Sequence, residues 1–298
     1  MDPQTPSIEP ATDEGRSPGL CAERTDERIR IFRQGLETPI LTQHAAPNKR
    51  PFIHPILAPD GVGALTENEP RHHIWQHGLY VGLNAVNGVG FWTEGRSENK
   101  DDDGSFHPGP LVSPQLKGDC VGWFVSTEWR SPRGEPMLNE TQSWEFCDRQ
   151  KEFALDLSWS VRALTDLVFG QYAYGGLFLR MPYRTALGGR AVNSEGATNQ
   201  DAEAKRARWV ALEMPIPGRE ECEQPVCSIA MLDHPSNMDH PVPWRVDRTL
   251  GVAPSRCIAG EWKLAAGKSS NCRYRLLIRC GGLDPKRIED EWKRYAAE

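Results

Sequence analysis

Between positions 152 and 161 the chain alternates strictly: Phe153, Leu155, Leu157, Trp159 and Val161 are separated by Ala154, Asp156, Ser158 and Ser160. Apolar residues at every second position line one side of an extended strand and would be scattered around a helix, so this stretch predicts a half-buried strand. Residues 121–129, 176–181, 226–232 and 273–278 have the same texture, short and apolar or alternating, and bounded by Gly, Pro or charge. Residues 51–57 (PFIHPIL) run into the turn signal Pro59-Asp60-Gly61, which reads as a hairpin. Asn87-Gly88 is a further hairpin turn. Many short strands with little helical pattern between them exclude an alternating βα fold and predict an all-β sandwich or barrel.

Two segments depart from this. The C-terminal LDPKRIEDEWKRYAAE has Asp284 as an N-cap, Pro285 at the first helical position, and Ile288, Trp292 and Tyr295 at helical spacing, predicting an amphipathic helix docked on the sheet. Residues 194–208 are polar without an apolar face and read as a long loop or a short surface helix. Residues 1–25 have little to bury and are expected to be a disordered tail; residues 26–298 are expected to form a single β-sandwich domain. GRSENKDDDG, residues 95–104, reads as an exposed acidic loop.

No run approaches the ~20 apolar residues that cross a bilayer, and the acidic, Pro-rich start does not resemble a secretory signal. A cytoplasmic protein is therefore expected, with its eight scattered cysteines, none in a C-x-x-C pair, read as reduced thiols. A net charge of −6 with no basic stripe argues against nucleic acid. Ten tryptophans suit either a core or a sugar-stacking platform.

Histidine clustering points to a site. Six of eight histidines fall in three islands: His54; His72, His73 and His77; His234 and His240. Imidazole is the commonest metal ligand and exchanges protons near neutrality. On a helix His73 and His77 would lie side by side on one face, close enough to share a metal; in a strand or loop that relation fails, and the Glu of an H-E-x-x-H motif is missing. Asp233-His234-Pro-Ser-Asn237 through His240 and Trp244 follows a predicted strand, and its prolines stiffen it, as suits a preordered site. Arg180 ends another strand and offers an anion clamp. Tyr174, Trp75 and Trp244 offer rings for stacking, and Gln76, Asn84 and Asn237 offer hydrogen bonds.

Four strings carry a family resemblance: residues 51–57 with His54, HIWQHGLYVGLNAVNGVGFW from His73, FGQYAYGGLFLRMP from Phe169, and LDHPSNMDHPVPW from Leu232. They resemble the bacterial family labelled "methane oxygenase PmoA-like", over about residues 45–298. His77 stands where a commoner form of that family has Arg, and Tyr174 where many relatives carry Glu. Methane oxidation by a membrane subunit needs transmembrane helices, which this sequence lacks. The resemblance implies a large β-sandwich similar to galactose mutarotase-like folds, in a setting of bacterial sugar catabolism.

Residues and resemblance together lead to the expectation of a carbohydrate-active enzyme acting on a glycoside or oxidised sugar by hydrolysis or β-elimination. His73 or His77 would be acid or base, with Asp233, His234 and His240 opposite, Arg180 stabilising negative charge, and Trp75 or Trp244 stacking on the sugar. No cofactor is identified beyond a candidate divalent metal, for which His54, His73, His77 and His234 are the ligands to test. The alternatives are a non-catalytic carbohydrate-binding protein and a metal-dependent oxygenase using His73, His77 and Asp233.

Overall fold

The alternating stretch becomes β10 (Glu152–Ala163), near the middle of a nine-stranded antiparallel sheet. The computed structural model describes residues 19–96 and 102–298. In hydrogen-bonded order this sheet runs β13 (Arg190–Asn193), β14 (Trp209–Pro215), β15 (Val226–Asp233), β19 (Ser269–Cys280), β10, β9 (Pro136–Asp148), β8 (Cys120–Arg130) and β6 (Ser105–Pro108), with β7 (Gln115–Lys117) beside β8. A second, eight-stranded sheet runs β1 (Leu20–Arg24), β2 (Arg28–Arg33), β3 (Leu41–His44), β4 (Phe52–Ile56), β5 (Leu79–Gly82), β12 (Gly176–Leu179), β17 (Val252–Pro254) and β16 (Trp244–Val246). A short pair joins β11 (Leu167–Phe169) to β18 (Trp262–Leu264). All-β, in two large sheets, is thus what the period-two pattern produces.

The parity of each strand decides what lies between the sheets. Ile29 and Ile31, Leu79 and Val81, and Leu177 and Leu179 of one sheet share a core with Val121, Val125, Phe146, Leu155, Leu157 and Ile278 of the other. Each such side chain, fully buried, contributes about 1.5–3 kcal/mol. The residues of opposite parity leave two outer faces. On the nine-stranded sheet that face, with Trp209, Ala211, Leu232 and Leu277, is covered by the helix α2 (Pro285–Tyr295) through Ile288 and Tyr295. The cap is the one expected: Asp284 accepts from the Arg287 N–H, with Pro285 at the first turn. α1 (Arg256–Ala259) is a single turn.

Six of the tryptophans are nearly or fully buried along the strands of the sandwich, and a polar spine inside the core serves four of them. Trp129 and Trp159 donate to Glu140, Trp144 donates to Gln142, which itself donates to Glu140, and Trp123 donates to Gln43 across the two sheets. Burial pushes the Glu140 carboxyl up while the three donors pull it down, the first effect being larger.

Two expectations are corrected. The tail does not extend to residue 25, because Leu20 is buried and β1 pairs residue for residue with β2; residues 1–18 lie outside the description. The cysteines are not all reduced, since Cys120 and Cys147, opposed on β8 and β9, form a disulfide. Residues 194–208 form the loop expected, with a single 3₁₀ turn, Asn199–Ala202, pinned by buried Ala202 and Ala207. Of the acidic loop, residues 97–101 lie outside the description; Asp103 accepts from Thr93 and from the Gly95 N–H, occupied by the protein itself.

Glu140→Ala leaves two indole N–H groups and one amide without an acceptor in a dry core. It should cost about 3–5 kcal/mol, read as a lowered urea midpoint, with Glu140→Gln losing less. Equal stability of wild type and Glu140→Ala would show that the spine is not a stabilising element.

Candidate functional site in a cleft on the eight-stranded sheet

The outer face of the eight-stranded sheet carries Tyr80, Trp92, Phe178 and Ala253, with Phe52, Trp75 and Tyr174 packed against them. No helix covers it among the described residues; a cleft of about 470 Å³ opens there instead. Its apolar lining is Trp75, Trp92, Tyr174 and Phe178, and its polar lining is His73, Gln76, Gln200, Arg245, Asp247, Arg248 and Thr249. Trp92 and Tyr174 lie 4.5 Å apart between ring centres.

Two fully buried arginines hold this face. Arg180 donates to Gln76 Oε1 at 2.8 Å, to the Thr249 carbonyl and hydroxyl at 2.8 and 2.7 Å, and to Asp247 Oδ2 at 2.7 Å. Burial pushes the Asp247 carboxyl up, but Arg180 and the Gly251 N–H outweigh it and hold it below the usual range. Gly251 is required by space: a Cβ there would collide with Phe178, Arg180 and Asp247. Arg50 lies over the Tyr80 ring at 4.0 Å and donates to the carbonyls of Phe91, Trp92 and Trp75. Its charge is met by Glu94, whose carboxyl burial pushes up but Arg50 and His77 hold at about 2.

The three histidine islands do not share one pocket. His73 lines the cleft, and its ring makes no hydrogen bond among the described residues. Burial, aided by Arg180 and His72, lowers its pKa, so it is neutral at pH 7. His77 is 3% exposed, with Nδ1 on Asn68 and Nε2 on Glu94, and stacks on Phe52. Both nitrogens are consumed, which removes it from acid–base duty. His54 pairs with Thr66, and burial takes it to about 4. On the same side, His44, absent from the sequence reading, stacks on Phe52.

The third island lies at the end of β15 against α2. Asp233 accepts from Asn237 and pairs with His240 at 2.7 Å, His240 stacks parallel to Trp292, and His234 sits between Ser236 and Arg273. Asn237 both donates to the Arg273 carbonyl and accepts from its N–H. These are the bonds of a loop closing on itself. Asp233, His234 and His240 are not among the residues lining the cleft, and so do not face His73 across it.

Other expected residues divide likewise. Trp75, Gln76 and Tyr174 line the cleft. Arg180 lies beneath it, saturated by protein acceptors. Trp244 is fully buried in the core, its indole bonded to the Ala207 carbonyl, so it cannot stack on a ligand. Asn84 lies beside Gly90 and outside the cleft lining. The metal set fails: among the described residues the one close group of ligand types is Cys120, Glu145 and Cys147, two of which are joined by the disulfide. The facial oxygenase arrangement falls with it, since His77 is engaged and Asp233 lies elsewhere. Reasoning from sequence missed Trp92, Phe178, Gln200, Arg245, Asp247, Arg248 and Thr249.

A family profile matches residues 37–293. The protein belongs to DUF6807, a family of unknown function. The profile carries no methane-oxygenase label, and that label is set aside. No curated protein sequence matches this DUF6807 chain. Among solved structures it is similar to an α-galactosidase from Lactobacillus brevis, at 10% identity and TM-score 0.42 over 88% of this chain and 40% of that one. It is also similar to the α-galactosidase AgaB from Geobacillus stearothermophilus, at 9% and 0.40 over 89% and 42%. A galactose 1-epimerase from Lactobacillus acidophilus NCFM gives 7% and 0.40 over 89% and 100%. The DUF6807 chain thus spans about two-fifths of the length of the two α-galactosidases.

The histidines make a pH prediction. His54, His44, His77 and His73 all have pKa values lowered mainly by burial, His54 from 6.5 to about 4. The unfolded chain therefore takes up protons first as pH drops below 6.5, and folding stability falls through the window from about 6.5 towards 4. For His54 the full effect is on the order of 3 kcal/mol. Tm should fall steadily between pH 7 and pH 5, and less steeply in His54→Gln; superimposable pH profiles would refute a desolvated His54.

Proposed function

We propose that the cleft binds an oxidised sugar and that His73 is its proton acceptor. The observation that carries this is a cleft lining that combines rings, Trp75, Trp92 and Tyr174, with the guanidinium of Arg248 and an imidazole without a protein partner, Arg245 beside them being already paired with Glu203. Ring faces match the C–H faces of a pyranose, while guanidinium groups match a carboxylate bidentately.

Elimination fits the inventory better than hydrolysis. Glycosidases generally use two carboxyl groups flanking the bond, one as acid and one as base or nucleophile. The cleft lining holds a single carboxylate, Asp247, and its oxygens are taken by Arg180, Thr249 and the Gly251 N–H. In the proposed reaction the neutral His73 takes the proton from the carbon next to the sugar carboxylate, whose charge Arg248 offsets. The electron pair left behind forms the carbon–carbon double bond as the β C–O bond breaks, and the imidazolium returns the proton to the leaving oxygen. Burial of His73 suits a base, because it favours the neutral ring.

A second reading, binding without turnover, is favoured by the closure of His77 and Asp247 into the protein, which leaves His73 with no partner acid. Isothermal titration with hexuronates and neutral hexoses, beside ultraviolet absorbance of the unsaturated product, tests both. Expected are tighter binding of the uronates, a loss of about tenfold or more in Trp75→Ala from ~1–2 kcal/mol of lost ring contact, and turnover that disappears in His73→Gln while binding remains. Binding with no turnover in the wild type selects the second reading. Affinity unchanged in Trp75→Ala, or full turnover in His73→Gln, sinks the first.

A further inference from the structure

The sheet that carries the Cys120–Cys147 disulfide contains a second pair of cysteines in the same backbone position. Cys227 on β15 and Cys280 on β19 are opposed in register, as Cys120 and Cys147 are on β8 and β9. The flanking ladder bonds fix the kind of pairing. The Asp148 N–H donates to the Asp119 carbonyl, and the Gly281 N–H donates to the Val226 carbonyl. Each bond lies one residue outside a cysteine pair, so both pairs occupy a position without mutual backbone bonds, where Cα atoms approach to roughly 4.5 Å. That is inside the roughly 4.4–6.8 Å span of a disulfide. Both side chains point to one face, since opposed residues of an antiparallel pair do so. One pair is joined; the other is two free thiols.

We propose that Cys227 and Cys280 are a redox-active dithiol that a small anionic disulfide closes into a second cross-strand disulfide. The two thiols are unequally placed, as an attacking and a resolving cysteine are. Cys227 is fully buried in the core, whereas Cys280 is half-buried and lines a cavity of about 470 Å³. Lys151 on that cavity offers positive charge to a carboxylate-bearing disulfide, beside Arg279, which is shared with Glu152, and Asp60, which also lines it, is already neutralised by Arg219 at 2.6 and 2.7 Å. The Cys227 thiol donates towards Cys280 and, with the Asp60 N–H, pulls the Cys280 thiol down to about 7 against burial, while Cys227 itself is pushed up. At neutral pH Cys280 is thus the nucleophile.

The exchange balances. The Cys280 thiolate attacks one sulfur of the small disulfide, expelling one thiolate and leaving a mixed disulfide. Cys227 then loses its proton and attacks the Cys280 sulfur, expelling the second thiolate. Two electrons pass from the protein to the small molecule, which leaves as two thiols carrying the two cysteine protons.

The test uses the full chain and glutathione disulfide, with remaining thiols alkylated before non-reducing digestion and mass spectrometry. In the wild type a cross-linked peptide pair joining Cys227 to Cys280 should appear and vanish on reduction. In Cys227→Ala, a mixed disulfide should accumulate on Cys280, because nothing resolves it. A wild-type digest in which Cys280 remains fully alkylatable after oxidation overturns the proposal whether or not the variant folds. So does glutathione held on wild-type Cys280 without closure.

Discussion

The outer face of the eight-stranded sheet is organised by two guanidinium groups that have lost their water. Such a charge costs several kcal/mol to bury unless every N–H finds an acceptor and an opposite charge stands near. Arg180 meets that demand with Gln76, Thr249 and Asp247, which lie 104, 69 and 67 residues away in the chain. Arg50 meets it in part, with the carbonyls at residues 75, 91 and 92 and with Glu94, while its Nε has no partner among the described residues. The acceptors are the loops that build the cleft, so compensating the charges and placing Trp75, Gln76, Trp92 and Thr249 are one event. A lysine could not replace either residue, because the fixed fork of donors is what ties several loops to one point.

The strands were legible because their information is local. Period-two alternation in residues 152–161 needs no partner to be read, and the helix at residues 285–295 announces itself by Asp284 and Pro285. The disulfide was not legible, since Cys120 and Cys147 are 27 residues apart and become neighbours only through sheet register. The histidines misled for the same reason. Their clustering along the chain says nothing about direction, and His73 and His77 stand in a turn region where four residues of spacing put one ring in the cleft and turn the other towards Asn68 and Glu94. The Asp–His contact of the third island does form, between Asp233 and His240, but it staples a loop to α2.

Two of the missed features did leave a trace. Gly176–Leu179 is followed by Arg180 and Met181 in an apolar run with no polar alternate, the mark of a strand covered on both faces, which implied that Phe178 had company outside the core. Residues 247–251 read Asp-Arg-Thr-Leu-Gly, in which Asp247 accepts from the N–H groups two and four residues on, a turn that small polar residues and glycine encode. Arg245 precedes that turn, Arg248 lies within it, and neither had a pattern of its own.

The contrast between the two outer faces bears most on function. Both present an apolar centre, and the nine-stranded sheet closes its own with α2, bonding Trp292 to the Asp233 carbonyl and Trp209 to Glu289. The eight-stranded sheet leaves its centre under a cleft, and around that cleft polar satisfaction lapses. Arg50 Nε, His73 Nδ1, Trp75 Nε1 and Tyr80 Oη are four of the nine buried side-chain atoms without a protein partner among the described residues. A fold that supplies acceptors for the indole N–H groups of Trp123, Trp144 and Trp244, and a shared glutamate for Trp129 and Trp159, has the means to satisfy these as well. Four such atoms gathered around one cleft, beside an Arg180 guanidinium that the protein compensates, are what a site shaped for something other than its own stability leaves behind.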